Sequence, residues 1–351
     1  MRKILDPEKV EQLKRLLKGS TRVVLTCHVH PDGDAIGSTL GLWHLLRKLG
    51  KEAAVVVPDQ LPKSLRFLPG AQEIAVYTRH DPYCTRLVDE ADLIICCDFN
   101  TASRQDHLAP LIQGSKASKV LIDHHENPDM VCDVLFSFPK MSSTCELVFR
   151  VIAALGLYGE VDRDCATCIL CGMITDTQNF TVNCADPEIY EVLMKLLEKG
   201  ADKVRIIDEC VKACSYDSLR LKSFALSERM TVYPSHRAII TYLSKEDLSR
   251  FHYEKGDTEG LVNMPLNIRG IVYSIFIRED ADQIKISARS RYDFPVSKIC
   301  EDLFGGGGHI QAAGGEFKGS LEDCLSILKD SLGRYDRFLP SRIERIDWRN
   351  E

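Results

Sequence analysis

Residues 25–38 read LTCHVHPDGDAIGS, and this stretch decides which fold the chain can adopt. It leaves an apolar run, sets His28, His30, Asp32 and Asp34 within seven residues, and passes directly into a helix start. Two carboxylates two residues apart repel each other and lose solvation where they are partly buried, so a positive group belongs between them. The candidate is a metal ion. Taken alone, Pro31-Asp32-Gly33 is also ordinary turn chemistry.

Working outward, five segments read as buried strands from their short apolar or β-branched runs: Val23 to Cys27, Ala53 to Val57, Leu93 to Cys97, Val120 to Ile122 and Val134 to Phe138. Helical patterns alternate with them at Val10 to Leu17 and Ile36 to Leu49, and Gly50 reads as the stop of the second. The alternation predicts a mostly parallel sheet with helices on both faces, an α/β fold. Three strands run into polar residues of one chemical kind: His28 to Asp34 after the first, Asp98 after Leu93 to Cys97, and Asp123-His124-His125 after Val120 to Ile122. In open parallel sheets the ligand crevice lies outside the carboxyl ends of the strands, so these loops are expected to converge.

From Thr144 the pattern turns helical, at Thr144 to Leu155, Asp162 to Thr175 and Asp186 to Lys199, followed by a charged stretch to Leu226. Strand-like runs return at His236 to Leu243, Val272 to Arg278 and Gln283 to Arg289. The expected organisation is a domain over 1–195, a helical linker over 196–225 and a second, smaller α/β domain over 226–351. A length of 351 residues agrees with two domains at roughly 150 residues each.

Composition excludes several classes. Apolar residues make up 44% and charged residues 27%, and no apolar run approaches the roughly 20 residues of a membrane span. The N-terminal 20 residues are charged throughout and lack the apolar core of a secretory signal, so a cytoplasmic location is expected. The 14 cysteines lie largely in apolar segments such as LIICCD, which reads as reduced buried thiols. A net charge of -6 argues against wrapping long nucleic acid but leaves small anionic substrates open.

The candidate metal ligands are His28, Asp32, Asp34, Asp98, His124 and Asp176, the last in GMITDTQNF after a helical run. Mixed carboxylate and imidazole donors suit manganese first and magnesium as the alternative. Four aspartates carry -4 and two divalent ions +4, so two metals leave the site near neutral where one leaves it strongly acidic. Paired ions about 3.5–4 Å apart serve phosphoryl displacement. HPDGD alone could be a turn and IDHHE alone a surface loop; together with Asp98 and Asp176 they favour a site.

These residues, in this order, resemble the four motifs of the DHH phosphoesterase family: HVHPDGD, Asp98 in CCDFN, the DHH of 123–125, and Asp176 in TDT. GGGGHIQAAGG resembles the glycine-rich signature of the family's associated C-terminal domain, and SARS at 287–290 a second substrate-contact motif there. The resemblance implies one metal on His28, Asp32 and Asp98 and another on Asp34, Asp98, His124 and Asp176, with Asp98 bridging. It implies that His125 faces the substrate phosphate and that Asp123 orients a ligand, so Asp98, His125 and Asp123 are the expected catalytic set. Gln178 and Asn179 stand where the family usually has a glycine. His30 is expected at the rim, and Arg104 matches a common family position without a derived role.

In the C-terminal domain, the glycine run 305–308 lets backbone N–H groups approach an anion, and QAAGG is expected to open a tightly packed helix. Arg289 can hold a phosphate bidentately and His309 can donate to one. Ser287, Ser290, Gly306, Gly307 and Gly308 complete the expected substrate contacts. The implied activity is hydrolysis of short single-stranded RNA oligonucleotides to nucleoside monophosphates and removal of the 3'-phosphate of 3'-phosphoadenosine 5'-phosphate, with the substrate between domains and a homodimer as the family expectation. A cyclic dinucleotide phosphodiesterase is the alternative, and a non-catalytic nucleotide sensor the alternative of another class. CATCILC has the gaps of an iron–sulfur run but reads better as helix packing, and Ser142-Ser143-Thr144 reads as an N-cap rather than a nucleophile.

Overall fold

The computed structural model describes residues 2–342; Met1 and 343–351, the end of the expected second domain, lie outside the described residues. By its internal contacts the chain divides into Met1–Ala213 and Cys214–Glu351.

In the first unit β1 (Arg22–Thr26), β2 (Glu52–Val57), β3 (Ala75–Val76), β4 (Leu93–Cys97), β5 (Ser118–Asp123) and β6 (Val134–Ser137) form one sheet of order β3-β2-β1-β4-β5-β6. Every pairing in it is parallel. The sheet carries core on both faces, which is why β4 reads as continuous apolar sequence with every residue buried. The two-residue β3 has no counterpart among the expected strands, because it is too short to show a pattern. Strand order reverses direction between β1 and β4, so the crevice of this sheet opens beyond those two strand ends.

Helices start where the sequence supplies caps. Asp32 caps Gly33–Lys48 by accepting from the N–H groups of Asp34 and Ala35, Ser143 caps Thr144–Ala154, and Asp162 caps Arg163–Asp176. Gly33–Lys48 and Arg163–Asp176 pack so closely that a Cβ at Gly172 would collide with the Cys145 thiol and lie 2.7 Å from Asp34 Oδ1. The stretch after Glu188–Glu198 holds Lys203–Ile206, a π-helical turn Ile207–Lys212 and the helix Tyr216–Glu228.

The second unit carries β7 (Met230–Tyr233), β8 (Ala238–Leu243), β9 (Tyr273–Glu279), β10 (Ile284–Ser290), β11 (Gly307–His309) and β12 (Ala312–Phe317), in the order β11-β12-β10-β9-β8-β7. Only β8 and β9 run parallel among these pairings, so the sheet is mixed. QAAGG does not open a helix: Ala312–Phe317 is a strand paired to both β10 and β11. The glycines there serve close approach, since a Cβ at Gly306 would collide with the carbonyl oxygen of Gly314. Among the described residues no helix is long and apolar enough to cross a membrane.

Candidate metal centre

His28 follows β1, Asp98 follows β4, and His124 and His125 follow β5, so adjacent parallel strands deliver them to one crevice. Asp34 lies in the first turn of Gly33–Lys48 and Asp176 closes the helix Arg163–Asp176, which packs against it. The structure brings all six candidate ligands together. His28, Asp32 and Asp98 form one group of ligand atoms within 4.8 Å of one another, and Asp34, His124 and Asp176 form another. Asp98 joins them: its Oδ2 lies 3.4 Å from His28 Nε2 and its Oδ1 3.7 Å from His124 Nε2. Asp98 holds this place at a left-handed φ of 66°, a conformation that costs a non-glycine residue energy and persists where the surroundings fix it.

The imidazoles show what belongs between these groups. His28 Nδ1 lies 2.7 Å from the Val29 carbonyl and His124 Nδ1 3.3 Å from the Met141 carbonyl, contacts that assign the proton to Nδ1 in both rings. Each Nε2 then faces carboxylates: His124 Nε2 is 3.8 Å from Asp34, 3.7 Å from Asp98 and 3.6 Å from Asp176. These separations are too long for hydrogen bonds and near the spacing of neighbouring donors around one cation, about 3.0–3.4 Å for bonds of about 2.1 Å. The donor set of imidazole nitrogens and carboxylate oxygens, with no cysteine in any such group among the described residues, fits divalent cations of the manganese and magnesium kind.

Electrostatics agree. Burial drives Asp34 well above the usual carboxylate range, and Asp98, Asp176 and Asp32 push it the same way. Burial together with Asp98 and Asp32 pushes Asp176 up to about 6 against the opposing pull of His124. Burial works to raise Asp98 too, yet His28, His124 and His125 outweigh it and hold it below the usual range. Carboxylates this crowded need cations or protons to coexist.

Two neighbours orient the ligands, and sequence reasoning did not assign them this task. The Thr144 hydroxyl donates to Asp98 Oδ1 at 2.9 Å, and the backbone N–H groups of Thr144 and Cys145 donate to the two oxygens of Asp34 at 2.6 and 2.8 Å. The capped start of Thr144–Ala154 was legible; which carboxylates it grips was not. Arg104 donates from Nη1 to His125 Nε2 at 2.9 Å, and His125 Nδ1 meets Asp123 Oδ1 at 2.8 Å, while Asp123 Oδ2 is buried without a partner. His30 lies at the exposed rim beside Asp59, apart from these groups.

Of the expected substrate contacts, Ser287 and Gly306 line a shallow cavity of about 390 Å³ in the second unit, together with Lys285, Gly314 and Glu316. Arg289 shares Ser287's face of β10 and Ser290 the opposite one, where its hydroxyl donates to the Phe294 carbonyl at 2.6 Å. Gly307, Gly308 and the exposed His309 form the edge strand β11. The cysteines of CATCILC sit on one buried helix, and their thiols meet separate partners at Gly41, Pro69 and Cys210.

Fold and site together define a two-domain phosphoesterase dependent on divalent metal ions. The chain belongs to the DHH family: the model of the DHH family N-terminal domain matches residues 22–173, and the DHHA1 domain matches 237–334. It is 30% identical over 334 residues to the bifunctional oligoribonuclease and PAP phosphatase NrnA of Thermus thermophilus, covering 93% of this chain and 95% of that protein. The cyclic-di-AMP phosphodiesterase GdpP of Bacillus subtilis is 25% identical over 342 residues, 92% of this chain and 49% of that protein. Among solved structures, an exopolyphosphatase-related protein from Bacteroides fragilis superposes with a TM-score of 0.93 at 39% identity, covering 96% of this chain and 99% of that one.

Proposed function

We propose that this protein hydrolyses short oligoribonucleotides to nucleoside monophosphates and removes the 3'-phosphate of 3'-phosphoadenosine 5'-phosphate. The observation that carries this reading is the pair of carboxylate–imidazole groups sharing Asp98, in a chain that aligns almost end to end with a bifunctional relative of that activity. His28, Asp32 and Asp98 hold one divalent ion, and Asp34, Asp98, His124 and Asp176 the other, with manganese preferred and magnesium the alternative. When bound, such ions supply Lewis acidity to the phosphoryl oxygens and lower the pKa of water.

The chain's own residues do the rest. Asp123 holds the Nδ1 proton of His125, whose Nε2 accepts from Arg104, so that the remaining guanidinium N–H groups of Arg104 are presented beside the ring for a phosphate. Asp98, fixed by Thr144, keeps the two ligand groups in register. Arg289, His309, Ser287 and the glycines 306–308 are the substrate contacts of the second unit in this reading, and a cytoplasmic homodimer is the expected working form.

The test incubates metal-stripped, manganese-reloaded protein with a two-to-five-nucleotide RNA, 3'-phosphoadenosine 5'-phosphate and cyclic di-AMP, beside Asp98→Ala. Mononucleotides from the first two, lost in the variant, support the reading. Turnover of cyclic di-AMP alone moves the protein to the signalling branch that the GdpP likeness represents. No turnover of any substrate, with nucleotide binding retained, favours the sensor.

A further inference from the structure

The helix that ends in Asp176 carries a second chemistry on a face the hydrolytic site does not use. Cys171 is fully buried on it, and its Sγ lies 3.7 Å from Sγ of Cys210. Cys210 comes from the π-helical turn Ile207–Lys212, a winding that is rare and that often marks functional positions. It is half-buried, so a small oxidant reaches Cys210 while Cys171 stays covered. The hydrogen bond from Cys171 holds the Cys210 thiol below its usual range, against burial and the nearby Glu209. Most other cysteines of the first unit are driven upward by burial, as at Cys96, Cys97, Cys145 and Cys168.

We infer that Cys171 and Cys210 form a reversible intramolecular disulfide on exposure to peroxide, and that this pair is an oxidative modification site of the protein. The steps balance. Cys210, as thiolate, attacks one peroxide oxygen, the O–O bond breaks, and with a proton taken up the products are a Cys210 sulfenic acid and water. The Cys171 thiol sulfur then attacks the sulfenic sulfur, its proton leaves with the departing hydroxide as a second water, and the S–S bond closes. Two thiols are oxidised and one peroxide is reduced. Closing 3.7 Å to a bond of about 2.05 Å needs a shift below about 2 Å. Cys171 has little room to retreat, since Gly172 beside it is pressed on Cys145 and Asp34, so the Ile207–Lys212 turn makes the movement. The bond ties that turn to the helix bearing Asp176.

The experiment treats the reduced full chain with a few equivalents of hydrogen peroxide, counts free thiols after denaturation and maps peptides without reductant. The expected result is a loss of two of the 14 thiols, a peptide linking Cys171 to Cys210, and full recovery with dithiothreitol. Cys210→Ser is expected to keep its remaining thiols under the same treatment, with its thermal midpoint showing that it folds. The wild-type map decides without the variant. Three results overturn the inference: thiols intact, a dimer linked through the exposed Cys214, or Cys210 carried to sulfinic acid with Cys171 still reduced.

Discussion

Thr144 Oγ1 donates to Asp98 Oδ1 at 2.9 Å, and this single bond fixes the carboxylate that joins the two ligand groups. Groups that orient metal ligands are worth about 10- to 100-fold in affinity or activity. Thr144→Val, which keeps the shape and removes the hydroxyl, is therefore expected to weaken manganese binding by about 10- to 100-fold. Thr144→Ser restores most of it. Isothermal titration with manganese measures both, and unchanged affinity in the valine variant refutes the role.

Arg104 is placed to meet a phosphate beside His125, and its backbone carbonyl is anchored by the Val29 N–H at 2.7 Å. Its removal costs a charge-assisted contact, about 1.5–3 kcal/mol or about 10- to 150-fold. Arg104→Ala is expected to raise KM by that factor for a two-nucleotide RNA while manganese affinity holds. Steady-state kinetics separate this from a ligand defect, in which both change.

Gly172 allows the two site-bearing helices to touch, because a Cβ there meets Cys145 and Asp34 Oδ1. Gly172→Ala overpacks this contact, at a cost of about 1–3 kcal/mol. Both the urea midpoint and the manganese affinity are expected to fall, since the displaced atom belongs to a ligand. A variant as stable and as tight-binding as the parent counts against the contact.

Glu188 sets an acid limit on stability. Burial works to raise its carboxyl, but Arg150 at 2.8 Å and Arg2 outweigh this and hold it down at about 2 against an ordinary 4.5. A lowered folded-state value means that the contribution is complete above about 4.5 and is lost as pH falls toward 2. The stability difference between the parent and Glu188→Gln is thus expected to be constant from pH 7 to 5 and to shrink below 4.5. Chemical denaturation across that range reads it directly, and a gap that widens in acid contradicts the assignment.

Metal removal is expected to lower stability, because clustered carboxylates repel once uncompensated. Ligand at a hundredfold excess over Kd stabilises by about 2.7 kcal/mol per site, or about 5–10 °C for a unit of this size. Differential scanning with chelator and with manganese tests this, and equal midpoints indicate that no ion binds the folded state.

Much of the site was legible because its grammar is local. An apolar run ending in His28, Asp32 and Asp34, and others ending in Asp98 and in Asp123-His124-His125, are strand ends by composition, and parallel sheets gather strand ends. Caps are equally local: Asp32, Ser143 and Asp162 each bond amides two or three residues ahead. The C-terminal glycines misled for the opposite reason. Small residues permit close packing in a strand or a helix alike, and only pairing of β12 with β10 and β11 settles which forms. Likewise Gln178 and Asn179 hold a left-handed φ of 48° and 57°, the region that favours glycine, and only the backbone shows it.

The sequence by itself determined the residue types of the site, the alternation that makes a parallel sheet and the helix starts, since each depends on contacts within a few residues. Tertiary structure decided that Thr144 meets Asp34 and Asp98 across separations of 110 and 46 residues, that Arg104 meets His125, and that Cys171 faces Cys210. Such partners follow from strand order and helix packing, which bring distant segments together without leaving a mark at either one.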